Sequence, residues 1–330
     1  MLRRVTGGGA IAPFVGAYGK LPRIGDFVAV HAEKTLGFQD WVGRAIDWAD
    51  RQKVVGWPQE LEGRPGAAFT YRPAAGGKKH EGILAGAFWA SRDAVGRRYP
   101  FMIFSSIPDE IARGAPHLLP IAMDSFVQQA LSMQEAFVGA ASGQEVEALL
   151  AALQPITMVE ATVRAYYEAY VAGAFVQETW ASLYGNADGE GARYAIQMIR
   201  ETLVPFQTVE DARTEIGVRL PLGPQPAYET AFWLDLIQRV GRMARPVPTS
   251  IHYPRPGVPG RGLFVALGDP HPSALAEATV GTGDTDLVCD LTVAMPDRGS
   301  VSRLPVLASH LEASIQRENA TLAHVLDALG

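Results

Sequence analysis

Two apolar runs joined by a short polar link constrain the fold of this chain more than any other feature. Gly82 to Ala90 (GILAGAFWA) and Phe101 to Phe104 (FMIF) are bounded by turn-forming residues, a pattern typical of strands buried on both faces. The link Ser91 to Pro100 is shorter than the roughly dozen residues that a parallel crossover needs. The two strands are therefore predicted to pair as an antiparallel hairpin, with Ala67 to Arg72 as a third strand beside them.

A second strand pair is predicted further along the chain by the same reasoning. Val247 to Tyr253 and Gly262 to Leu267 are joined by residues 254–261, whose prolines exclude a helix. Thr214 to Leu222 alternates apolar and polar positions, as a half-buried strand does. Phe14 to Tyr18 is predicted to be a further short strand.

Helical periodicity accounts for most of the remaining chain. Helices are predicted over residues 34–53, 116–138 and 227–243, over the alanine-rich segment 143–210 with a break near 185–189, and over 303–329. The last is expected to be one long helix capped by Ser302, with Pro305 in its first turn. The apolar stripe of the second is expected to cover the sheet: Leu119, Met123, Phe126, Ala130, Met133 and Phe137.

These elements together predict an α+β fold, in which helices cover a largely antiparallel sheet and a helical insertion occupies the middle of the chain. A doubly wound parallel fold is the weaker alternative. The predicted organisation is a flexible lead (1–12), an N-terminal α/β domain (13–140), a helical segment (141–210) and a C-terminal α/β region ending in a long helix (211–330).

Charge and cysteine content exclude several classes of protein. The formal net charge is −6 and no long basic run is present, so nucleic acid is not expected as a partner. Cys289 is the only cysteine, so the chain has no intrachain disulfide and no multi-cysteine zinc site, and a buried, inert thiol is expected. The N-terminus lacks a continuous signal-type apolar region, and no apolar run approaches the roughly 18 residues of a membrane span. A cytoplasmic protein without membrane insertion is predicted.

Motifs for catalysis or cofactor binding are missing from the sequence. The Gly-Lys pairs at 19–20 and 77–78 lack the upstream glycine and the following Ser or Thr of a phosphate loop. His80-Glu81 has Leu84 where a zinc protease motif needs its second histidine, and no GxSxG nucleophile elbow occurs. We therefore predict no catalytic residue, no cofactor and no metal, and a protein that is not an enzyme.

Two glycine-containing segments carry a family resemblance. The first, FVGAYGKLPRIGDFV at 14–28, includes Tyr18, Gly19, Lys20, Pro22, Gly25, Asp26 and Phe27. The second, SRDAVGRRYPF at 91–101, includes Ser91, Asp93, Gly96, Arg97 and Pro100. With the tryptophan-bearing helix between them, these blocks resemble the signatures of the TagF family, also called ImpM. The clear resemblance covers about residues 14–135.

The resemblance implies a cytoplasmic accessory protein of a bacterial type VI secretion system that represses assembly post-translationally by binding proteins, without a cofactor. It also implies a forkhead-associated-domain protein as a partner, and it makes the twelve motif residues candidates for partner binding. A structural or assembly subunit of the apparatus is the alternative. An unrecognised metal-dependent hydrolase is a third hypothesis, which requires Asp26 and Asp93 to approach a histidine or a metal.

The motif residues also have a structural interpretation. Gly19 and Gly25 suit a tight turn after the first strand, which Pro22 would stiffen. Asp26 is a short acceptor for backbone donors of its loop, and we expect Arg97 to pair with it if the two loops meet. Asp93 with Gly96 suits a turn in which the carboxylate binds backbone amides and glycine takes a positive φ. Shaping the fold is favoured over direct partner binding, and both interpretations stay open.

Overall fold

The computed structural model describes residues 13–51, 66–72, 82–107, 114–157, 159–185, 191, 193–200, 217–241, 249–254, 261–266, 288–292, 309–317 and 319–329. Several predictions fall outside these ranges. They are the flexible lead 1–12, the end of the helical segment at 201–210, and the cap and first turn of the last helix at Ser302 and Pro305.

One nine-stranded sheet organises the described part of the chain. Its strands are β1 (Val15–Gly19), β2 (Val28–Val30), β3 (Ala67–Tyr71), β4 (Ile83–Trp89), β5 (Phe101–Ile107), β6 (Gly217–Leu222), β7 (Thr249–Pro254), β8 (Arg261–Ala266) and β9 (Val288–Asp290). Their order is β2-β1-β5-β4-β3-β7-β8-β6-β9. The parallel pair is β6 with β9, and the other recorded pairs are antiparallel. The predicted α+β class and both predicted hairpins are confirmed.

Helices flank this sheet. They are α1 (Leu36–Arg51), α2 (Leu119–Ser132), α3 (Gln134–Gly139), α4 (Gly143–Ala151), α5 (Glu160–Gly173), α6 (Val176–Tyr184), α7 (Pro226–Gly241), α8 (Ser309–Gln316) and α9 (Leu322–Leu329). Residues 193–200 are also helical, and short 3-10 turns occupy Ala32–Lys34 and Pro116–Leu118.

The helix predicted over residues 116–138 is interrupted. It begins as the 3-10 turn and then breaks between α2 and α3 at Met133, whose φ and ψ of −91° and 2° leave helical geometry. The break lets α3 direct Phe137 into the core against Trp89 and Phe101, at ring-centroid distances of 6.2 and 5.7 Å. The apolar stripe is otherwise buried as predicted, with Met133 half-buried.

The prediction of one long C-terminal helix is wrong. Helices α8 and α9 are separate because the chain between them pairs with the junction of α5 and α6. Thr321 and Phe175 form an antiparallel bridge, and Leu322 N donates to Ala174 O at 3.0 Å. The same junction divides the helical segment 143–210, which also breaks after α4 and at Gly185, where φ is +76°.

Strand β6 is buried along its whole length rather than half-buried as predicted. It lies inside the sheet between β8 and β9, and its apolar side chains Val218 and Leu220 pack in the same cluster as α7. Arg219, at a polar position, is buried as well and pairs with Asp290 at 3.3 Å. Cys289, expected to be buried, is half-buried.

The sheet separates two helical layers. Alternate residues of β4 face opposite sides: Ala87 packs in the cluster that contains Met123 of α2, whereas Phe88 packs in the cluster that contains Trp41 of α1. Helix α7 contacts α2, so these two helices lie on the same face. The central strands are therefore covered on both faces, which explains their continuous apolar runs.

Phe104 occupies a special position in β5. It stands in register with Gly16 of β1 on one side and with Gly86 of β4 on the other. A Cβ on Gly16 would lie 2.6 Å from the Phe104 ring, and one on Gly86 would lie 2.0 Å from the carbonyl oxygen of Ile103. The two glycines make room for one fully buried ring and for close approach of the strands around it.

Candidate functional site

The two signature segments form neighbouring loops at one end of the sheet. Loop A, residues 20–27, follows β1, and loop B, residues 91–99, links β4 to β5. Strands β1 and β5 are adjacent and antiparallel, with Tyr18 opposite Met102, so the end of β1 lies beside the start of β5. The sheet order thus brings together two segments that are distant in sequence.

Asp93 is the centre of the contact between the loops. Its side chain is fully buried, and Oδ1 accepts hydrogen bonds from Val95 N at 3.1 Å and Arg97 N at 2.8 Å. Oδ2 lies 3.0 Å from Lys20 Nζ of loop A and 2.6 Å from Arg97 Nε. Burial by itself would raise the pKa of Asp93, but these donors, led by Lys20, hold that pKa well below its usual range. The carboxylate is ionised and saturated with donors.

Loop B has the turn geometry that its sequence predicts. Gly96 has φ of +88°, its amide donates to Asp93 O at 3.0 Å, and Asp93 N donates to Arg97 O at 3.0 Å. Tyr99 N donates to Ser91 O at 3.0 Å and closes the base of the loop. The predicted roles of Asp93 and Gly96 are confirmed.

Gly19 and Pro100 form the closest approach between the two motifs. Gly19 has φ of +134°, and a Cβ there would lie 2.1 Å from the carbonyl oxygen of Pro100. Both the conformation and the space demand glycine. The predicted tight geometry at the end of the first strand is confirmed at Gly19, and Ile24 N donates to Leu21 O at 3.1 Å across the turn that contains Pro22.

The predicted pairing of Arg97 with Asp26 is wrong. Arg97 instead donates through Nη2 to the carbonyl oxygen of Gly25 at 2.8 Å, while its Nε contacts Asp93. Asp26 is exposed, and its carboxylate makes no hydrogen bond or ion pair with any residue that the structure describes, so the expected backbone-accepting role is wrong as well. Gly25 has open space around its Cα and does not take a positive φ, so its contribution is the carbonyl rather than conformational freedom.

Three aromatic side chains pack together beside Lys20. The rings of Tyr18 and Phe27 stack at a centroid distance of 5.4 Å, and Tyr99 meets them edge-on at 5.7 and 4.9 Å. Lys20 Nζ lies 4.9 Å from the centre of the Phe27 ring. Burial raises the pKa of Tyr99, so it stays neutral. Tyr99 lies within the second signature segment but is not among the candidate residues that the sequence predicts.

The outer side of the two loops is both apolar and basic. Phe27 is 44% exposed and Val95 is 72% exposed, and the Arg97 side chain is 59% exposed. We call the following exposed residues the signature surface: Arg23, Asp26, Phe27, Arg92, Val95, Arg97 and Arg98. Sequence reasoning missed Arg23, Arg92, Val95 and Arg98, because the motif resemblance does not indicate which side chains of the two loops are exposed.

A second polar cluster lies away from the signature surface. Tyr167 of α5 donates to Asp235 Oδ2 of α7 at 2.8 Å, and Arg239 Nε contacts Asp235 Oδ1 at 2.9 Å. Arg239 also donates to Leu326 O of α9 at 3.2 Å, so the cluster joins three helices. The His117 ring lies 5.2 Å from that of Tyr167, and burial lowers the pKa of His117. Each carboxylate oxygen of Asp235 has a partner here, which indicates a structural role.

The residues that the structure describes contain neither a metal-ligand cluster nor a membrane-spanning helix. Within them, no group of three or more His, Cys, Asp and Glu side chains is arranged to hold a metal ion. Asp93 is paired with cations and Asp26 is exposed, so the two carboxylates of the hydrolase hypothesis lie in different environments. No helix in the same ranges combines the length and apolarity needed to cross a bilayer.

Comparison with known families identifies the N-terminal part of the chain. A family model for the TagF N-terminal domain, described as type VI secretion system-associated, matches residues 16–156. Residues 16–156 are a TagF N-terminal domain. The match begins inside β1, contains both signature loops and ends after α4. This TagF domain links the protein to type VI secretion. Its match continues to residue 156, past residue 135, where the clear resemblance ends.

The solved structures include one that is similar to part of this chain. The crystal structure of PA0076 from Pseudomonas aeruginosa PAO1 aligns at 22% sequence identity and a TM-score of 0.35. The alignment covers 44% of this chain and 63% of that one, and it carries no functional argument. No curated protein matches the chain significantly.

Proposed function

We propose that this protein is a cytoplasmic regulator of type VI secretion that acts by binding a protein of the secretion system, and that the signature surface is the contact. The observation that supports this most directly is that the two TagF motifs form neighbouring loops that contact each other. Lys20 and Asp93 join loops A and B at 3.0 Å, and the joined loops expose Phe27 and Val95 beside arginines.

Binding explains this arrangement better than catalysis does. A catalytic carboxylate must be free to exchange a proton or to ligate a metal, whereas Asp93 is surrounded by four donors and stays ionised. The exposed side chains are instead of the kind enriched in protein interfaces, namely an aromatic ring and arginines. We therefore propose no turnover, repression of assembly as the direction of control, and the forkhead-associated-domain protein implied by the resemblance as the first partner to test.

The buried and exposed halves of the site have separate tasks under this proposal. Lys20, Asp93 and Gly19 hold the loops in one conformation, so that partner binding does not have to order them. Phe27, Val95 and the arginines make the contact. The structural and partner-binding interpretations of the motifs are therefore complementary, with different residues in each role.

Affinity capture in a bacterium with an active type VI secretion system tests the proposal. Tagged full-length wild type should co-purify with secretion-system proteins, Val95→Asp should lose them, and Val159→Asp should retain them. Val159 is the matched control because it is an exposed valine, 63% exposed, that lies outside both loops. Deleting the gene should increase effector release if the protein is a repressor.

Two results would count against the proposal. Absence of secretion-system proteins from the wild-type capture, together with unchanged effector release after deletion, would reject a regulatory role. Stable high-order assemblies of the purified chain in analytical ultracentrifugation would favour a structural subunit instead.

A further inference from the structure

We infer that the signature surface binds an acidic protein segment that inserts an apolar side chain between the arginines. This inference rests on the proposed function, because it specifies the chemistry of the partner at the same surface. It follows from local charge, from the way the arginines are held, and from the exposed apolar groups among them.

The local charge of the two loops is opposite to that of the whole chain. Loops A and B contain five cations and two carboxylates, a balance of +3 in a chain whose formal net charge is −6. One of those carboxylates, Asp93, is buried against Lys20 and Arg97. The exposed part therefore presents arginines with Asp26 as the single exposed carboxylate of the two loops. Such a patch attracts an acidic partner and repels a basic one.

Two of the arginines are held in place before any partner arrives. Arg97 uses Nε and Nη2 for Asp93 and the carbonyl oxygen of Gly25, which leaves its Nη1 group available on a side chain that is 59% exposed. Arg23 donates through Nη1 to Gly139 O at 2.8 Å. A guanidinium fixed on one edge loses less conformational entropy when its other edge binds a carboxylate. The surface is thus pre-organised for carboxylates.

Apolar groups lie among these cations. Phe27 is supported from behind by Tyr18 and Tyr99, yet 44% of its surface is exposed. Val95 projects from the tip of loop B, two residues before Arg97, and is 72% exposed. An aromatic anchor with neighbouring arginines is the composition of energetically dominant interface residues. A purely acidic ligand would leave these groups uncovered, so the partner is expected to be amphipathic.

The same observations favour a protein segment over a nucleic acid or an anionic membrane. Both of those partners present extended negative charge, which a chain of net −6 repels outside a patch of +3. A short acidic segment needs only a few carboxylates opposite Arg23, Arg92 and Arg97. Its apolar side chain would also use Phe27 and Val95, for which phosphates offer no counterpart.

Site-specific photo-crosslinking in cells tests the inference. The full-length chain would carry p-benzoylphenylalanine at position 95 or, as the control, at position 159, and mass spectrometry would identify the adducts. We expect position 95 to crosslink to a secretion-system protein, within a segment that has more Asp and Glu than Lys and Arg and contains an apolar residue. Position 159 should not crosslink to that segment.

The crosslinked segment, synthesised as a labelled peptide, then provides a binding assay by fluorescence anisotropy. Arg92→Glu should weaken binding about five- to tenfold, because an exposed arginine at the rim is reversed in charge. Arg200→Glu, an exposed arginine outside both loops, should leave Kd unchanged. Replacing the acidic residues of the peptide by Asn and Gln should weaken binding to the wild type, and added salt should do the same. Circular dichroism would establish that both variants are folded.

The possible outcomes separate this inference from the proposed function. Adducts at position 95 with a basic segment, a nucleic acid or a lipid would refute the inference, as would an unchanged Kd for Arg92→Glu. If position 95 yields no adduct while secretion-system proteins still co-purify, the signature surface is not the contact and this inference fails, but the regulatory binding role in the proposed function stands. If no secretion-system protein co-purifies with the wild type and deletion leaves effector release unchanged, the proposed function itself fails.

Discussion

Replacing Phe104 by alanine should destabilise the fold strongly, because neither cross-strand neighbour has a side chain that can fill the cavity that the ring leaves. Phe104 is completely buried, and its ring packs edge-on against Phe14 and Phe38 at centroid distances of 6.4 and 6.3 Å. Its cross-strand neighbours are Gly16 and Gly86, which have no side chains to move into the vacated space. The cavity should therefore persist instead of collapsing.

The magnitude follows from the area and the cavity. A buried phenylalanine removes about 150–250 Å² of surface from water, which at about 25 cal/mol per Å² corresponds to at most roughly 4–6 kcal/mol. Phe→Ala substitutions in protein cores cost about 3–5 kcal/mol. Because both neighbouring strands offer glycine at this register, we expect about 4 kcal/mol for Phe104→Ala. Phe104→Leu, which keeps most of the volume, should cost about 1–2 kcal/mol.

Urea unfolding of the full-length chain, followed by tryptophan fluorescence and circular dichroism, measures these values. Phe175→Ala is the control, because Phe175 is 43% exposed and should lose less than about 1 kcal/mol. A loss below about 2 kcal/mol for Phe104→Ala would show that the sheet closes around the cavity. That result would refute the argument that paired glycines prevent relaxation.

Three further predictions concern the site and the helical layer. Gly19→Ala should cost about 3 kcal/mol or more in urea unfolding, because positive φ and the nearby Pro100 carbonyl both oppose a side chain; an unchanged midpoint would contradict this. Asp26→Ala should shift the unfolding free energy by less than about 0.5 kcal/mol, since the carboxylate is exposed and unpaired among the described residues; a larger loss would reveal a structural role. Burial lowers the pKa of His117, so at mildly acidic pH the unfolded chain binds a proton that the folded chain does not. The free energy of unfolding should therefore fall as the pH drops from 7.5 to 5.5. The free energy of unfolding of His117→Gln should fall less over the same range. Equal slopes for the two proteins would contradict that assignment.

Local features of the sequence were sufficient to predict the β4–β5 hairpin and the turn of loop B. The apolar run of β4 and the short link to β5 predicted the hairpin, because a parallel connection would need more residues. Asp93 and Gly96 predicted the turn of loop B, because an aspartate acceptor and a residue with positive φ act within a few positions of each other. The motif pattern also predicted the TagF family.

Contacts between distant segments could be resolved only by the tertiary structure. The Lys20–Asp93 pair exists because β1 lies next to β5, an order that no local pattern encodes. Arg97 contacts the Gly25 carbonyl instead of the adjacent Asp26 side chain, a difference of one residue that depends on the backbone path of loop A. The continuous helix expected at the C-terminal end is divided because Thr321 pairs with Phe175, so a tertiary contact overrides helical propensity there. Local pattern determined which elements form and how loop B turns, whereas packing decided which segments meet and which side chains remain exposed for a partner.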